Sequence, residues 1–84
     1  MENNEILKKQ IIYRSMHRGT KEMDILLSGF VKKYINTFTE TELQDLLKLL
    51  QIDDEIIYKW YFEKGFKLLI PSSRVSLLLK KFKL

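Results

Sequence analysis

The chain has 84 residues, enough for one small domain, and its 45% hydrophobic and 31% charged content is that of a globular protein. It has no cysteine, which excludes disulfides, thiolate zinc sites and a cysteine nucleophile. The formal net charge is +4, but the N-terminal quarter is basic and residues 40–55 are acid-rich. This polarity differs from the one-sided basic stripe of a typical nucleic-acid binder.

Two amphipathic segments come first in the chain. Residues 5–17 have a moderate helical pattern, with one face formed by Ile6, Leu7, Gln10, Ile11 and Arg14. A cleaner stripe follows, with apolar side chains at helical spacing: Met23, Leu26, Leu27, Phe30, Val31 and Tyr34. Both patterns predict helices that bury one face.

Two further helices are predicted in the middle of the chain. Thr39 and Glu42 have the spacing of a capping box, and the stripe behind them is Leu43, Leu46, Leu47 and Leu50. Asp53 is placed to cap the fourth helix, which ends at Gly65. Its apolar face comprises Ile56, Ile57, Trp60 and Tyr61.

A fifth helix is predicted after Pro71, where Ser72 or Ser73 can cap. Its apolar positions are Val75, Leu78, Leu79 and Phe82. No segment alternates at period two, as a half-buried strand would. We therefore predict an all-α fold, a compact single-domain bundle of about five short helices spanning residues 1–84.

The residue types that carry catalysis are scarce. His17 is the only histidine, and beside Arg18 it is interpreted as a solvated surface residue. No Gly-rich phosphate loop, zinc spacing or nucleophile motif occurs. The acids between residues 40 and 55 are explained by helix capping and lack the spacing of a calcium loop. We expect no catalytic residue, no metal site and no enzyme acting alone.

The aromatic residues of the fourth helix have two interpretations. Trp60 lies on the stripe with Ile56 and Ile57, so core packing is favoured over a platform for a base or flavin ring. Tyr58 and Phe62 lie off that stripe, which predicts exposure and a possible contact with a partner.

Residues 13–24 join the first two helices and combine several cations, a glycine and two acids. In a structural interpretation, Gly19 supplies a left-handed residue after the first helix, while Arg18 and Glu22 suit the charges of the helix ends. In a functional interpretation, Gly19 lets another backbone approach closely, and Arg18 and Glu22 offer opposite charges to a partner. Both remain open at this stage.

The chain resembles the succinate dehydrogenase assembly factors that promote flavinylation. Their signature, Arg-Gly-x-x-Glu, is present here as Arg18-Gly19-Thr20-Lys21-Glu22. The likeness covers roughly residues 6–64 and includes Tyr13-Arg14-Ser15, Ile25-Leu26-Leu27-Ser28, Thr39-Glu40 and the Asp53-Asp54 turn leading to Trp60. It departs after Gly65, where residues 66–70 precede Pro71, so the packing of the last helix is left open.

The resemblance implies a five-helix assembly factor that binds the flavoprotein subunit of succinate dehydrogenase and promotes covalent attachment of its FAD. It implies partner contacts for Arg18, Gly19 and Glu22, with Tyr13, Arg14 and Asp24 as weaker candidates. It also implies that the chain binds no FAD stably itself and holds the flavoprotein in a reactive geometry. Fumarate reductase is a possible second partner.

The N-terminal residues bear on where in the cell the protein acts. The first five residues are polar and acidic, unlike a secretory signal or transit peptide, which predicts action in a bacterial cytoplasm without membrane insertion.

One alternative function is that of a small basic nucleic-acid-binding domain that uses Lys8, Lys9, Arg14, Arg18 and Lys21. Another is a helical interaction module for an unrelated protein.

Overall fold

The computed structural model describes residues 2–63 and 70–83, and the side chains from residue 4 onward. These ranges contain α1 (Glu2–Ser15), α2 (Lys21–Tyr34), α3 (Glu40–Leu50), α4 (Asp54–Phe62) and α5 (Arg74–Lys81), and no β-strand. Helix α1 packs against α2 and α3, and α5 packs against α3. The predicted five-helix, all-α fold is confirmed. Within the described part of the chain, no helix is long and apolar enough to cross a bilayer.

The predicted apolar stripes form one core. Five of the six predicted α2 positions are buried, and Tyr34 is half-buried at its edge. Helices α3, α4 and α5 together contribute more than half of their predicted positions as buried residues: Leu43, Leu46, Leu50, Ile57, Trp60, Val75 and Leu79. The core interpretation of Trp60 is therefore confirmed.

Side-chain caps fix the starts of three helices. At α3 the predicted capping box is confirmed: Thr39 Oγ1 accepts from Glu42 N at 3.2 Å, and Glu42 Oε1 accepts from Thr39 N at 2.9 Å. Ser73 caps α5 in a second box with Ser76, and Thr20 caps α2. The prediction for Asp53 was only half right, because it occupies the N-cap of α4 but its side chain accepts no capping hydrogen bond.

Helix α1 differs from its predicted form. It extends from Glu2 to Ser15, whereas residues 5–17 were predicted. Its core contacts come from Ile11 and the half-buried Leu7, while Ile6 is 57% exposed and was wrongly placed on the buried face. Ser15 is also buried. Its hydroxyl donates to the Ile12 carbonyl at 2.7 Å, so the buried polar group is satisfied locally.

Helix α5 is attached to the bundle by polar and aromatic contacts. Arg74 forms an ion pair with Glu42 at 2.5 Å, and the pKa of Glu42 is lowered by its hydrogen bond from the Thr39 backbone and then by Arg74. The ring of Phe82 packs edge-on against Phe30 with centroids 5.5 Å apart. Tyr61 donates to the Phe82 carbonyl. These contacts show how the last helix packs. Helix α4 ends at Phe62, three residues before the predicted end at Gly65, which itself lies outside the described residues.

The buried leucines provide a test of this core. Leu27 and Leu46 have no exposed surface, so Leu27→Ala or Leu46→Ala should each lower the free energy of unfolding by about 2 to 4 kcal/mol through lost burial and a residual cavity. Leu77→Ala is the matched control, because Leu77 is 55% exposed on α5. Urea titration measures all three. A wild-type midpoint for both core variants would contradict the assigned helix faces.

Candidate functional site

The segment between α1 and α2 turns at a histidine. His17 has φ 58°, the left-handed conformation that commonly ends a helix, whereas the φ of Gly19 lies outside that region. The structural interpretation that gave this role to Gly19 was therefore wrong. The left-handed region is uncommon for residues other than glycine, although His is among those that tolerate it.

Gly19 instead permits the close approach of Asp54. The Gly19 amide donates to Asp54 Oδ2 at 2.5 Å. A Cβ at position 19 would lie 3.0 Å from that same oxygen, tighter than ordinary van der Waals contact. A carboxylate of the same chain thus occupies the space where the Cβ of any other residue would lie.

The guanidinium of Arg18 completes this arrangement. Its Nε donates to Asp54 Oδ1 at 2.8 Å, and its Nη2 lies 2.5 Å from the same oxygen. Nη1 donates to the carbonyls of Arg14 at 2.6 Å and Leu50 at 3.0 Å, and Nη2 reaches the Ile52 carbonyl at 3.5 Å. The side chain is only 11% exposed. We call Arg18, Gly19, Asp54 and the three carbonyls the helix-end junction.

The helix-end junction satisfies groups that helices leave unpaired. The last carbonyls of a helix have no intrahelical donor and carry partial negative charge, which a guanidinium neutralises. Arg18 does this for the ends of α1 and α3 simultaneously. Asp54 belongs to the first turn of α4, where a carboxylate is favourable, and it also binds Gly19 just before α2. Four helix ends therefore meet at one ion pair.

The predicted site residues divide into two groups around this junction. Arg18 and Gly19 make the internal contacts just described. Tyr13 is 70% exposed, Arg14 and Glu22 are exposed, and Asp24 is half-buried on α2. The charge of Arg18 is used within the chain, so the signature presents its glutamate rather than its arginine to solvent.

Two open clefts flank the helix-end junction, and Asp54 lines both. The first, of about 380 Å³, lies beside Tyr13, Arg14, His17 and Arg18 and the turn between α3 and α4. The second, of about 500 Å³, lies between α2 and α4, and we call it the α2/α4 cleft. Its lining residues are Thr20, Glu22, Met23, Asp54, Glu55, Tyr58, Lys59 and Glu63.

The sequence interpretation gave Asp54 no role beyond helix capping and missed its contacts with Arg18 and Gly19. Proximity of these residues depends on how α1, α3 and α4 pack, which no local pattern encodes. The one available signal was the Asp53-Asp54 turn, included in the family resemblance without a role.

Two basic residues of the nucleic-acid alternative are engaged within the chain. Arg18 is held in the helix-end junction, and Lys8 donates to Asn36 Oδ1 at 3.2 Å. Within residues 2–63 and 70–83, no group of three or more His, Asp or Glu side chains is placed to hold a metal ion.

Comparison with known proteins identifies the family. Residues 9–82 match the sequence profile of the family described as "Flavinator of succinate dehydrogenase". The chain belongs to this family, and the resemblance based on Arg18-Gly19-x-x-Glu22 is confirmed. The match continues well past Gly65, where the resemblance was expected to depart.

Individual relatives agree with the family match. The chain is 49% identical over 59 residues to the "Succinate dehydrogenase assembly factor 2, mitochondrial" of Scheffersomyces stipitis, covering 70% of this chain and 40% of the relative. It is 40% identical to the protein of the same name in Dictyostelium discoideum, covering 75% and 48%. It is 32% identical to the "FAD assembly factor SdhE" of Acetobacter pasteurianus, covering 88% and 65%. The chain thus spans between 40% and 65% of these relatives' lengths. No solved structure matches the chain.

Proposed function

We propose that this chain binds the flavoprotein subunit of succinate dehydrogenase and promotes covalent attachment of FAD to it. The observation that carries the proposal is the Arg18-Gly19-x-x-Glu22 signature inside the matched range, residues 9–82. The relatives' names, which speak of succinate dehydrogenase assembly and of FAD assembly, support the same activity.

The geometry supports a role as a chaperone that presents a preformed surface. The helix-end junction holds the signature segment in one shape before any partner arrives, which reduces the entropy lost on binding. Exposed Tyr13, Arg14 and Glu22 then supply contacts to the flavoprotein. Asp24, which is half-buried on α2, adds a contact at the edge of this surface.

The chemistry of attachment is assigned to the flavoprotein. The chain has three glycines and no Gly-rich phosphate-binding loop, so we propose that FAD remains with the partner and that this chain is not itself an enzyme. Differential binding shifts the flavoprotein toward the conformation in which its own groups react. A ligand can shift such an equilibrium only by its difference in affinity for the two conformations, so the chain must bind the reactive form more tightly.

The proposed scope includes the flavoprotein subunit of fumarate reductase as a second partner. We propose a bacterial cytoplasm as the location. The match to the Acetobacter pasteurianus relative over 88% of this chain supports it, while the fungal and Dictyostelium relatives are named as mitochondrial.

A reconstitution tests the proposal through Glu22. Purified apo-flavoprotein and FAD are incubated with the chain, and covalent flavin is scored by in-gel fluorescence. The wild type should accelerate attachment, and Glu22→Arg should slow it about tenfold or more, because charge reversal at a complementary interface adds repulsion.

Glu40→Arg is the matched control for Glu22→Arg. Glu40 is likewise an exposed acid in the first turn of its helix, at the end of α3 remote from the helix-end junction. It should support flavinylation at the wild-type rate. If the wild-type chain leaves the rate of the apo-flavoprotein unchanged, the proposed function is overturned. Equal rates for Glu22→Arg and Glu40→Arg would remove Glu22 from the contact.

A further inference from the structure

We propose that the α2/α4 cleft binds an arginine or lysine side chain presented by the flavoprotein. This inference rests on the proposed function for the identity of the partner. It adds the chemistry of one contact, a cationic group with an aliphatic stem. The argument comes from the walls of the cleft, its charges and one acid at an unfavourable helix end.

The side chains that line the α2/α4 cleft fit the aliphatic stem of a basic side chain, with polar groups of the cleft surrounding its charged end. Met23 has no exposed surface and closes the inner side, while Tyr58 is 39% exposed at the opening. The Tyr58 ring contacts Phe62 with centroids 4.6 Å apart, which restricts its motion. Phe62 is itself 44% exposed, so α4 presents an aromatic pair to solvent. Exposed tyrosines of this kind often dominate binding energy at protein interfaces.

The charges around the cleft are predominantly negative. Four acids and one lysine line it. Asp54 is neutralised by Arg18, and Glu55 pairs with Lys59 at 3.7 Å on the same helix. Glu22 and Glu63 form no ion pair with any of the described residues. Among the described residues, the charge left unpaired around the cleft is therefore negative, which complements a cation.

Glu63 is the acid that helix stability does not explain. Glu22 and Glu55 lie in first turns, where the positive helix end favours carboxylates. Glu63 occupies the C-cap of α4, where the partial charge of the helix end is negative and a cation would be favourable. A carboxylate there costs stability, and a cation bound in the cleft would offset that cost. The position therefore favours a binding role.

Tyr58 adds a second preference for the same occupant. A guanidinium or ammonium group over an aromatic face is attracted by the ring quadrupole, most strongly when it is partly desolvated. A metal ion would instead need several converging oxygen ligands, and no such group of acids occurs among the described residues. A mixed aromatic and acidic cleft thus fits a long basic side chain.

Binding of the labelled chain to apo-flavoprotein, followed by fluorescence anisotropy, tests the inference. Tyr58→Leu keeps the apolar bulk but removes the π face, and should weaken binding about fivefold. Glu63→Gln should weaken it by about three- to tenfold. Glu40→Gln, an exposed acid on α3, is the matched control and should bind as the wild type does. Glu63→Gln should also raise the melting temperature slightly, since it removes a charge from the wrong helix end.

A second arm tests the cleft without the flavoprotein. Ethylguanidinium chloride is titrated into the 15N-labelled chain, with N-ethylurea as the neutral probe of the same shape. The amide signals of Glu22, Tyr58 and Glu63 should shift with ethylguanidinium and remain in place with N-ethylurea. In Glu63→Gln the shifts should diminish.

The two arms separate the two hypotheses. Wild-type affinity for the flavoprotein in both Tyr58→Leu and Glu63→Gln would overturn the inference and leave the proposed function standing. Absence of any wild-type binding would overturn the proposed function, and the titration would then decide the cation preference of the cleft alone. Equal shifts with both probes, or no shifts, would overturn that preference.

Discussion

Gly19→Arg is expected to abolish or sharply slow covalent flavinylation, the largest functional effect of any single substitution considered. A Cβ added at position 19 would lie 3.0 Å from Asp54 Oδ2, and that oxygen accepts the Gly19 amide hydrogen at 2.5 Å. The carboxylate must move to admit it, and the bulk and charge of an arginine beside Asp54 should disturb the helix-end junction and the signature segment further. In-gel flavin fluorescence measures the loss, beside a thermal melt of the same protein.

Gly29→Ala is the control for glycine replacement in the same assays. At Gly29, inside α2, the added Cβ meets the Phe82 ring at an ordinary 3.7 Å, so the substitution should be neutral or stabilising. Asp54→Ala distinguishes two causes of a loss at position 19: displacement of the Asp54 carboxylate, and loss of a direct contact between Gly19 and the flavoprotein. Equal losses in Asp54→Ala and Gly19→Arg would assign the whole effect to the helix-end junction, and a larger loss in Gly19→Arg would add a partner contact. A folded Gly19→Arg protein with wild-type activity would exclude both.

Arg18→Ala is expected to lower the free energy of unfolding by about 3 to 5 kcal/mol, a large share of the stability of a small domain. The substitution leaves Asp54, which is 25% exposed, without its cation, and leaves three carbonyls at helix ends without their donor. Arg18→Lys should recover only part of this stability, because an ammonium group cannot reproduce the planar fork that contacts several acceptors at once. Urea denaturation measures both.

Arg14→Ala provides the matched comparison for Arg18→Ala. The Arg14 side chain is exposed, and only its backbone carbonyl belongs to the helix-end junction. Its removal should change the stability by no more than about 0.5 kcal/mol. Similar midpoints for the two alanine variants would show that the buried guanidinium contributes nothing beyond an ordinary surface charge.

The features that could be predicted are those with a local physical cause. The α2 stripe predicts its own buried face because apolar side chains at spacings of three and four share one side of a helix. The Thr39 and Glu42 capping box is equally local, since both partners lie within one turn. The first helix was less well predicted. Its apolar residues lie on more than one face, so Ile6 was placed inside although it is exposed.

The candidate site could be located by sequence but not understood from it. The signature points to the segment between α1 and α2, but a glycine flanked by opposite charges suits a partner contact and an internal contact equally well. Only the packing of α1, α3 and α4 brings Asp54 to Arg18 across 36 residues. The left-handed residue was missed for a related reason. Glycine is the default for that conformation, and nothing local indicated that His17 would adopt it.

The separation of Arg18 and Asp54 along the chain has a consequence for the order of folding. The caps of α3 and α5 join residues three apart and can form while most of the chain is unfolded. The helix-end junction must close a long loop that contains α2 and α3, which costs more chain entropy. An interaction that forms after the transition state slows unfolding and leaves the folding rate nearly unchanged. The helix-end junction should therefore form late in folding and lower the unfolding rate, which lengthens the lifetime of the native protein.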